Sequence, residues 1–417
     1  MKNSIKLLSF FIALSTSLRC QTPDFSLVGF AEGTTGGQGG AVVTVSDFSG
    51  LKFFAENSMP YIIYINGTIE HGADGGSIRV RSNKTILGLG NSALLFGVGL
   101  TINGNNNIII RNIRFSMTGI TTRTDKANVY SSTGDEGRPQ ILTNGGDCIR
   151  LTGSCYNVWI DHCEFFSEDP YVQTNQDLYD GIVDITGTSY NVTLSWNYVH
   201  DHHKVHLVGS SDTDEFDRRI TFHHNYFYNL KGRLPFYRFG VGHVFNNYYL
   251  KCNSAINSRM EACLYVEKNY FENVTSNTVF DTGSTLTGFA TLADNYFINS
   301  KAPNIVSCSN FIPLYTYNQV LTDVTEVKNV VMNYAGVGKI VTGLEDVKTL
   351  KHSYRIVDNK IILNTAKQMQ LNLSDVSGKT VIQSTGNELI INSIPHGFYL
   401  LRISENSTHT ENIKISL

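Results

Sequence analysis

The chain has 417 residues, enough for a large core and two domains. With a net charge of −3 and only 17% charged residues, there is no global electrostatic case for nucleic acid, so any basic site must be local. Gly (36), Tyr (21) and Phe (23) against 8 Pro favour many short strands joined by turns over long helices.

Residues 1–20 read as a signal peptide: Lys2 and Lys6 give a positive start, and Leu7 to Leu14 is an apolar run too short to span a bilayer. A secreted or cell-surface protein is therefore expected, cleaved after Ser17 or close to Cys20. Lipid anchoring at Cys20 is an alternative that Arg19, directly before it, disfavours. Once Cys20 is removed, Cys148, Cys155, Cys163, Cys252, Cys263 and Cys308 remain. An even count in an exported chain permits disulfides. The short spacings of Cys148, Cys155 and Cys163, and of Cys252 and Cys263, suggest local bridges; buried free thiols are the equal alternative.

Residues 21–344 form the expected main domain. Gly33–Gly40 lacks the preceding strand, following helix and Gly-Lys-Ser/Thr ending of a phosphate loop, so it reads as a turn structure at the start of the fold. Asn-Tyr pairs then recur at Asn197, Asn225, Asn247, Asn269 and Asn295, in steps of 28, 22, 22 and 26 residues, each after a short apolar or alternating run. A period of about 22 residues without helix signals indicates a solenoid, and coils of that size suit a right-handed parallel β-helix. The recurring Asn is expected at one bend in every coil, with a left-handed backbone and a structural role. Repeats stop near residue 345. Residues 345–417 show seven short strand signals, consistent with a small β-sandwich.

Three acids and three cations stand out. Asp147 follows Asn144-Gly-Gly, and Asp180 and Asp184 are four apart, which on a strand puts both on one face. Three carboxylates suit calcium, a hard cation that accepts irregular oxygen shells; on spacing alone, solvated loop acids are at least as good a reading. Lys204 lies among His200, His202, His203 and His206, a spacing that matches neither H-E-x-x-H nor a structural zinc pattern. Arg233 and Arg238 follow in Lys231-Gly-Arg-Leu-Pro-Phe-Tyr-Arg. Alone, each cation reads as a surface charge.

Several motifs run in one order: Gly29-Phe-Ala-Glu-Gly-Thr-Thr-Gly-Gly-Gln-Gly-Gly40, Ser82–Gly90, Val158-Trp-Ile-Asp-His162, Tyr179–Ile185 and Arg233-Leu-Pro-Phe-Tyr-Arg238. Together they resemble the pectate lyases of the large β-helical polysaccharide lyase family, over about Gly29 to Ser300. The resemblance implies β-elimination of polygalacturonate by a monomer. Ca2+ would be held by Asp147, Asp180 and Asp184, substrate carboxylates by Lys204 and Arg238, and Arg233 would be the catalytic base or would orient a hydroxide. Cations crowded around Arg233 would oppose its charge, and either role predicts an alkaline optimum. Some relatives carry a further acid where Gly145 stands, which implies a weaker substrate-free calcium site. The resemblance also makes Val158–His162 scaffold. With its Gly397-Phe-Tyr-Leu400 turn-strand and a last strand containing Lys414, the C-terminal stretch resembles sorting domains of exported proteins in some gram-negative bacteria, which implies contact with export machinery; a glycan-binding or purely packing role is the alternative. A polygalacturonase would need a close acid pair and Asn-Thr-Asp and Gly-His-Gly signatures, none of which occurs. A non-catalytic binding β-helix is the third reading, against which the intact Lys204, Arg233 and Arg238 argue.

Overall fold

The computed structural model describes residues 23–122, 141–308, 311–340 and, apart from a few short interruptions, 354–416. The signal peptide, Cys20 and the 344/345 boundary lie outside the described residues. A parallel β-solenoid is built from three sheets, of ten, nine and eight strands, visited in turn by each coil. One coil runs through Tyr190–Ser195 in the first sheet, Tyr198–Lys204 in the second and His206–Val208 in the third, before Arg219–His223 returns to the first.

Alternate residues point inward and stack on their equivalents one coil away. Ile86, Ile110, Ile160, Leu194, Phe222, Val244 and Val266 form such a column in the first sheet, all buried. Each contributes roughly 1.5–3 kcal/mol of burial relative to exposure. Outward residues of the same sheet hold a strap from the N-terminal segment. Ala31 N–H donates to Thr193 Oγ1 and Phe30 N–H to Thr221 Oγ1, both at 3.1 Å, and Gly37 N–H to Thr85 Oγ1 at 3.0 Å. The glycine-rich run is thus turn structure laid across the first sheet. A Cβ at Gly37 would collide with the Tyr61 carbonyl, so only glycine fits there.

Among the described residues two α-helices pack on the solenoid, and neither was signalled by the repeat pattern. Phe48–Ala55, capped by the Asp47 carboxylate on Gly50 N–H, buries Leu51 and Ala55. Val324–Tyr334 lays Val327 and Val331 on Tyr226, Tyr248 and Tyr270 of the second sheet.

The asparagine ladder is present: Asn197, Asn225, Asn247, Asn269 and Asn295 are joined by Nδ2–H to Oδ1 bonds of 2.9–3.0 Å. Its geometry corrects the expectation. The left-handed residue is the one before each ladder Asn, namely Trp196, His224, Asn246, Lys268 and Asp294. The bend falls one residue early, and the Asn side chain is freed to span the coils. The local disulfides are also corrected. Cys263 pairs with Cys308, 45 residues on, while Cys148, Cys155, Cys163 and Cys252 are buried free thiols. Those four point into the solenoid, where a column of apolar neighbours leaves no partner cysteine in reach.

Seven antiparallel strands follow, in a three-stranded sheet (Tyr354–Val357, Lys360–Leu363, Glu388–Ile390) and a four-stranded one (Met369–Asp375, Thr380–Gly386, Phe398–Asn406, His409–Ser416). They enclose a separate core that includes Ile361, Leu371, Leu389 and Leu401. Among the described residues, no helix is long and apolar enough to cross a membrane.

Candidate active site on the third sheet

Thr101, Arg150, Asp184, Leu207 and Phe236 stand in register on successive strands of the third sheet. One pairing further, Arg238 lies opposite Arg259. Chemistry-bearing side chains are thereby spaced at the coil repeat, about 4.8 Å.

Asp147 ends the turn Thr143–Gly146, whose geometry Asn144 enforces from a left-handed backbone with φ 55°. The Asn144 amide donates to Asp147 O at 2.7 Å, and its oxygen accepts from Ser77 Oγ at 2.9 Å and from Thr101 Oγ1. The Asp147 carboxylate accepts Gly181 N–H at 2.9 Å. A Cβ at Gly181 would collide with Asp184 Oδ1 and lie 3.0 Å from Asp147 Oδ1, so the two carboxylates converge on this glycine. Asp184 is buried, and its Oδ1 has no hydrogen-bond partner among the described residues. Burial and repulsion from Asp180 push the Asp184 carboxyl up to about 7, with Arg233 and Lys204 pulling the other way. Burial, then Asp184 and Asp180, push Asp147 well above the usual carboxylate range.

The spacing of Asp180 and Asp184 predicted a shared strand face. Only Asp184 is on the strand, Val183–Ile185; Asp180 lies in the irregular segment before it. Its Oδ1 is 2.8 Å from Lys204 Nζ, and Asp177 Oδ1 is 2.9 Å from the same nitrogen. Among the described residues, no three His, Cys, Asp or Glu side chains form a ready-made metal cage. The crowded acids and the orphaned buried Oδ1 nonetheless fit a cation, whose charge would offset their repulsion.

Lys204 ends its strand opposite Gly232, which leads into Arg233. Arg233 turns the chain toward the third sheet from a left-handed backbone, φ 64°. Among the described residues its guanidinium has no ion pair. Arg238 donates from Nε to Asp212 at 2.7 Å and from Nη1 to Gly209 O at 2.9 Å. Phe236 is the hub of the cations: its ring centroid lies 5.4 Å from Arg233 Cζ, 4.5 Å from Arg238 Cζ and 4.3 Å from Arg259 Cζ. Burial and the neighbouring Arg238 lower the Arg259 guanidinium to about 10, with Asp212 and Asp281 opposing. Arg259, Phe236, Asp177 and Asp212 were missed from sequence. The coil step from Arg238 to Arg259 was the available signal for the first.

The histidines near Lys204 make hydrogen bonds. His200 joins Asp201 and Glu164, His202 bridges Ser167 and the Asp180 carbonyl, His203 reaches the Gln173 carbonyl, and His206 is buried. Asp161 ends a strand of the first sheet, Tyr156–Asp161, and His162 is the left-handed residue after it. There the buried Asp161 carboxylate takes Arg111 Nε, Ser195 Oγ at 2.6 Å and His162 Nδ1.

The clustered acids and the row of arginines on one outer sheet of the β-solenoid suit a ligand that carries repeated negative charges. The pectate lyase family model matches residues 8–340. A pectate trisaccharide-lyase from Bacillus licheniformis is 39% identical over 328 residues, 76% of this chain and 88% of that protein. Pectate lyase A from Aspergillus niger is 34% identical over 331 residues, 78% of this chain and 91% of that protein. Among solved structures, a Bacillus sp. N165 pectate lyase in complex with trigalacturonate is 33% identical with a TM-score of 0.64, covering 75% of this chain and 99% of its own. Pectate lyase C from Erwinia chrysanthemi, solved at pH 9.5 with 30 mM Ca2+, is 25% identical with a TM-score of 0.56, covering 75% and 96%. The chain belongs to the pectate lyase family and is a pectate lyase.

Proposed function

We propose that the protein is a secreted, calcium-dependent lyase that splits (1→4)-linked α-D-galacturonan by β-elimination. The observation that carries this reading is the convergence of Asp147 and Asp184 on Gly181, with the charge of Arg233, which has no ion pair among the described residues, acting on Asp184. Calcium held by Asp147, Asp180 and Asp184 would supply positive charge to a uronate carboxylate, lowering the cost of the negative charge that develops on it. Lys204 and Arg238 would bind substrate carboxylates, the planar fork of Arg238 matching a carboxylate in two hydrogen bonds. Arg233 would take the proton from the carbon next to the carboxylate, or orient a hydroxide that does. The glycosidic oxygen then leaves and an unsaturated sugar end remains. The Bacillus sp. N165 relative's trigalacturonate complex supports this substrate class.

The positive start and apolar run of residues 1–20 support export. The separate core of the C-terminal sheets, and a family match that ends before them, support reading residues 345–417 as an independent module; a sorting role for it rests on the sequence resemblance alone.

The deciding test is ultraviolet absorbance on de-esterified polygalacturonate at alkaline pH, with calcium and with chelator. Calcium-dependent growth of absorbance is expected from the unsaturated product. New reducing ends without absorbance would mean hydrolysis and overturn the reading.

A further inference from the structure

Resting on the lyase reading above, we propose that Arg150 is a substrate-binding residue: it holds the carboxylate of the uronate unit on the far side of the acid cluster from Arg233. Arg150 lies in register between Thr101 and Asp184 on the outer row of the third sheet, one coil before Asp184. The other cations of the site, Lys204, Arg233, Arg238 and Arg259, all lie on later coils. Arg150 is exposed and, among the described residues, forms no ion pair within 4.0 Å. Its guanidinium is nevertheless drawn over the site. Nη1 is 3.0 Å from the point where a Cβ at Gly145 would stand, and Asp147 Oδ2 is 3.5 Å from that point. The arginine fork and the Asp147 carboxylate thus come together beside the bare backbone of Gly145, where a Cβ would crowd Nη1.

A polyuronate running along the row presents a carboxylate at each sugar. A polymer held at Arg233 and Arg238 and continuing across the acids meets Arg150 next. An unpaired guanidinium there offers two charge-assisted hydrogen bonds to a free carboxylate and nothing comparable to a methyl ester. The same charge beside Asp147 opposes a cation in the substrate-free site, so Arg150 both selects for de-esterified polymer and delays metal loading until substrate arrives.

The test compares wild type with Arg150→Gln and Arg150→Lys on polygalacturonate, on pectin of graded methyl esterification, and in substrate-free calcium titration by calorimetry. For Arg150→Gln, KM on polygalacturonate should rise about tenfold with kcat within about twofold, as expected for loss of one charge-assisted contact. Its preference for de-esterified polymer should narrow, and substrate-free calcium should bind more tightly. Arg150→Lys should recover part of the KM. An active wild type with unchanged KM and unchanged ester preference in Arg150→Gln would overturn the role of Arg150 alone. A wild type that forms no unsaturated product would overturn the lyase reading, and this inference with it.

Discussion

Lys204 Nζ lies 2.8 Å from Asp180 Oδ1, so the lysine assigned to substrate and an acid assigned to metal neutralise each other before either ligand binds. On the proposed roles, a cation that claimed Asp180 would release the lysine, which would keep Asp177 until a substrate carboxylate displaced it. Metal and polymer binding would then be coupled through one side chain. Lys204→Met should tighten substrate-free calcium binding about three- to tenfold by removing a competing charge at close range, while raising KM for polygalacturonate. Calorimetric titration checks the first effect. Weaker calcium binding in Lys204→Met would contradict the coupling.

The acid cluster sets a pH dependence whose sign follows from the carboxyl of Asp184, held up to about 7 by burial and Asp180. The folded state keeps a proton there that the unfolded chain has lost above its ordinary carboxylate range. Stability from this group is therefore full at low pH and falls as pH rises through about 7. Asp147, raised by burial and the same neighbours, acts in the same direction. Thermal melts with chelator should show Tm falling from pH 5 to pH 8. Added calcium should reverse the loss, with affinity rising over the same interval as protons leave. A chelated protein that gains stability across that range would rule this account out.

Asp212 fixes Arg238 from outside. Besides the Nε bond, Asp212 accepts Ser284 Oγ at 2.6 Å and Thr285 N–H at 3.1 Å, tying two loops to one guanidinium. The hydrogen bonds from Ser284 and Arg238 hold the Asp212 carboxyl at about 2. Asp212→Ala should raise KM about tenfold, Asp212→Asn less because its amide oxygen still accepts, and both should leave Tm nearly unchanged. Steady-state kinetics with melting curves for the two variants separate positioning from folding. A large Tm loss would make Asp212 structural instead.

The coil repeat was legible because Asn-Tyr recurs where the solenoid must turn, and Asp184, Arg233 and Arg238 were singled out because they lie inside motifs that carry the resemblance. What stayed hidden depends on neighbours one coil apart. Phe236 touches three guanidiniums, yet in sequence it is one aromatic among 23 phenylalanines. Asp177 and Asp212 lie in loops whose return to Lys204 and Arg238 no local period encodes. The Cys263–Cys308 bond was hidden for the same reason: its partners meet only because the segment after the last coils folds back.

Val158–His162 makes a different demand. Asp161 is buried with Arg111, both nearly inaccessible, so removing the carboxylate withdraws a buried countercharge. Asp161→Ala should cost roughly 3–5 kcal/mol of stability, with KM of the surviving folded enzyme unchanged. Denaturant unfolding measures the cost. Full stability together with lost activity would instead make this motif catalytic and the scaffold assignment wrong.

The ladder offers the strictest test of how the solenoid holds its register. Asn247 Nδ2 donates to Phe222 O at 2.9 Å and to Asn269 Oδ1 at 3.0 Å, and its Oδ1 accepts both N–H and Nδ2–H of Asn225. Truncation strands several buried groups, at about 1–3 kcal/mol each. Asn247→Ala should therefore destabilise by about 3 kcal/mol or more, whereas truncating Asn295, at the half-buried end, should cost less. At the other end, Cys163 stands where an asparagine would continue the ladder, and its N–H donates to Asn197 Oδ1 at 2.9 Å. Cys163→Asn places a donor and acceptor one coil earlier. Its Tm relative to wild type reports whether the ladder propagates by hydrogen bonds or merely tolerates them. A gain means the Ile110 and Asp161 carbonyls beside Cys163 Sγ can take the new amide, and a loss means the apolar column around Cys163 sets the limit.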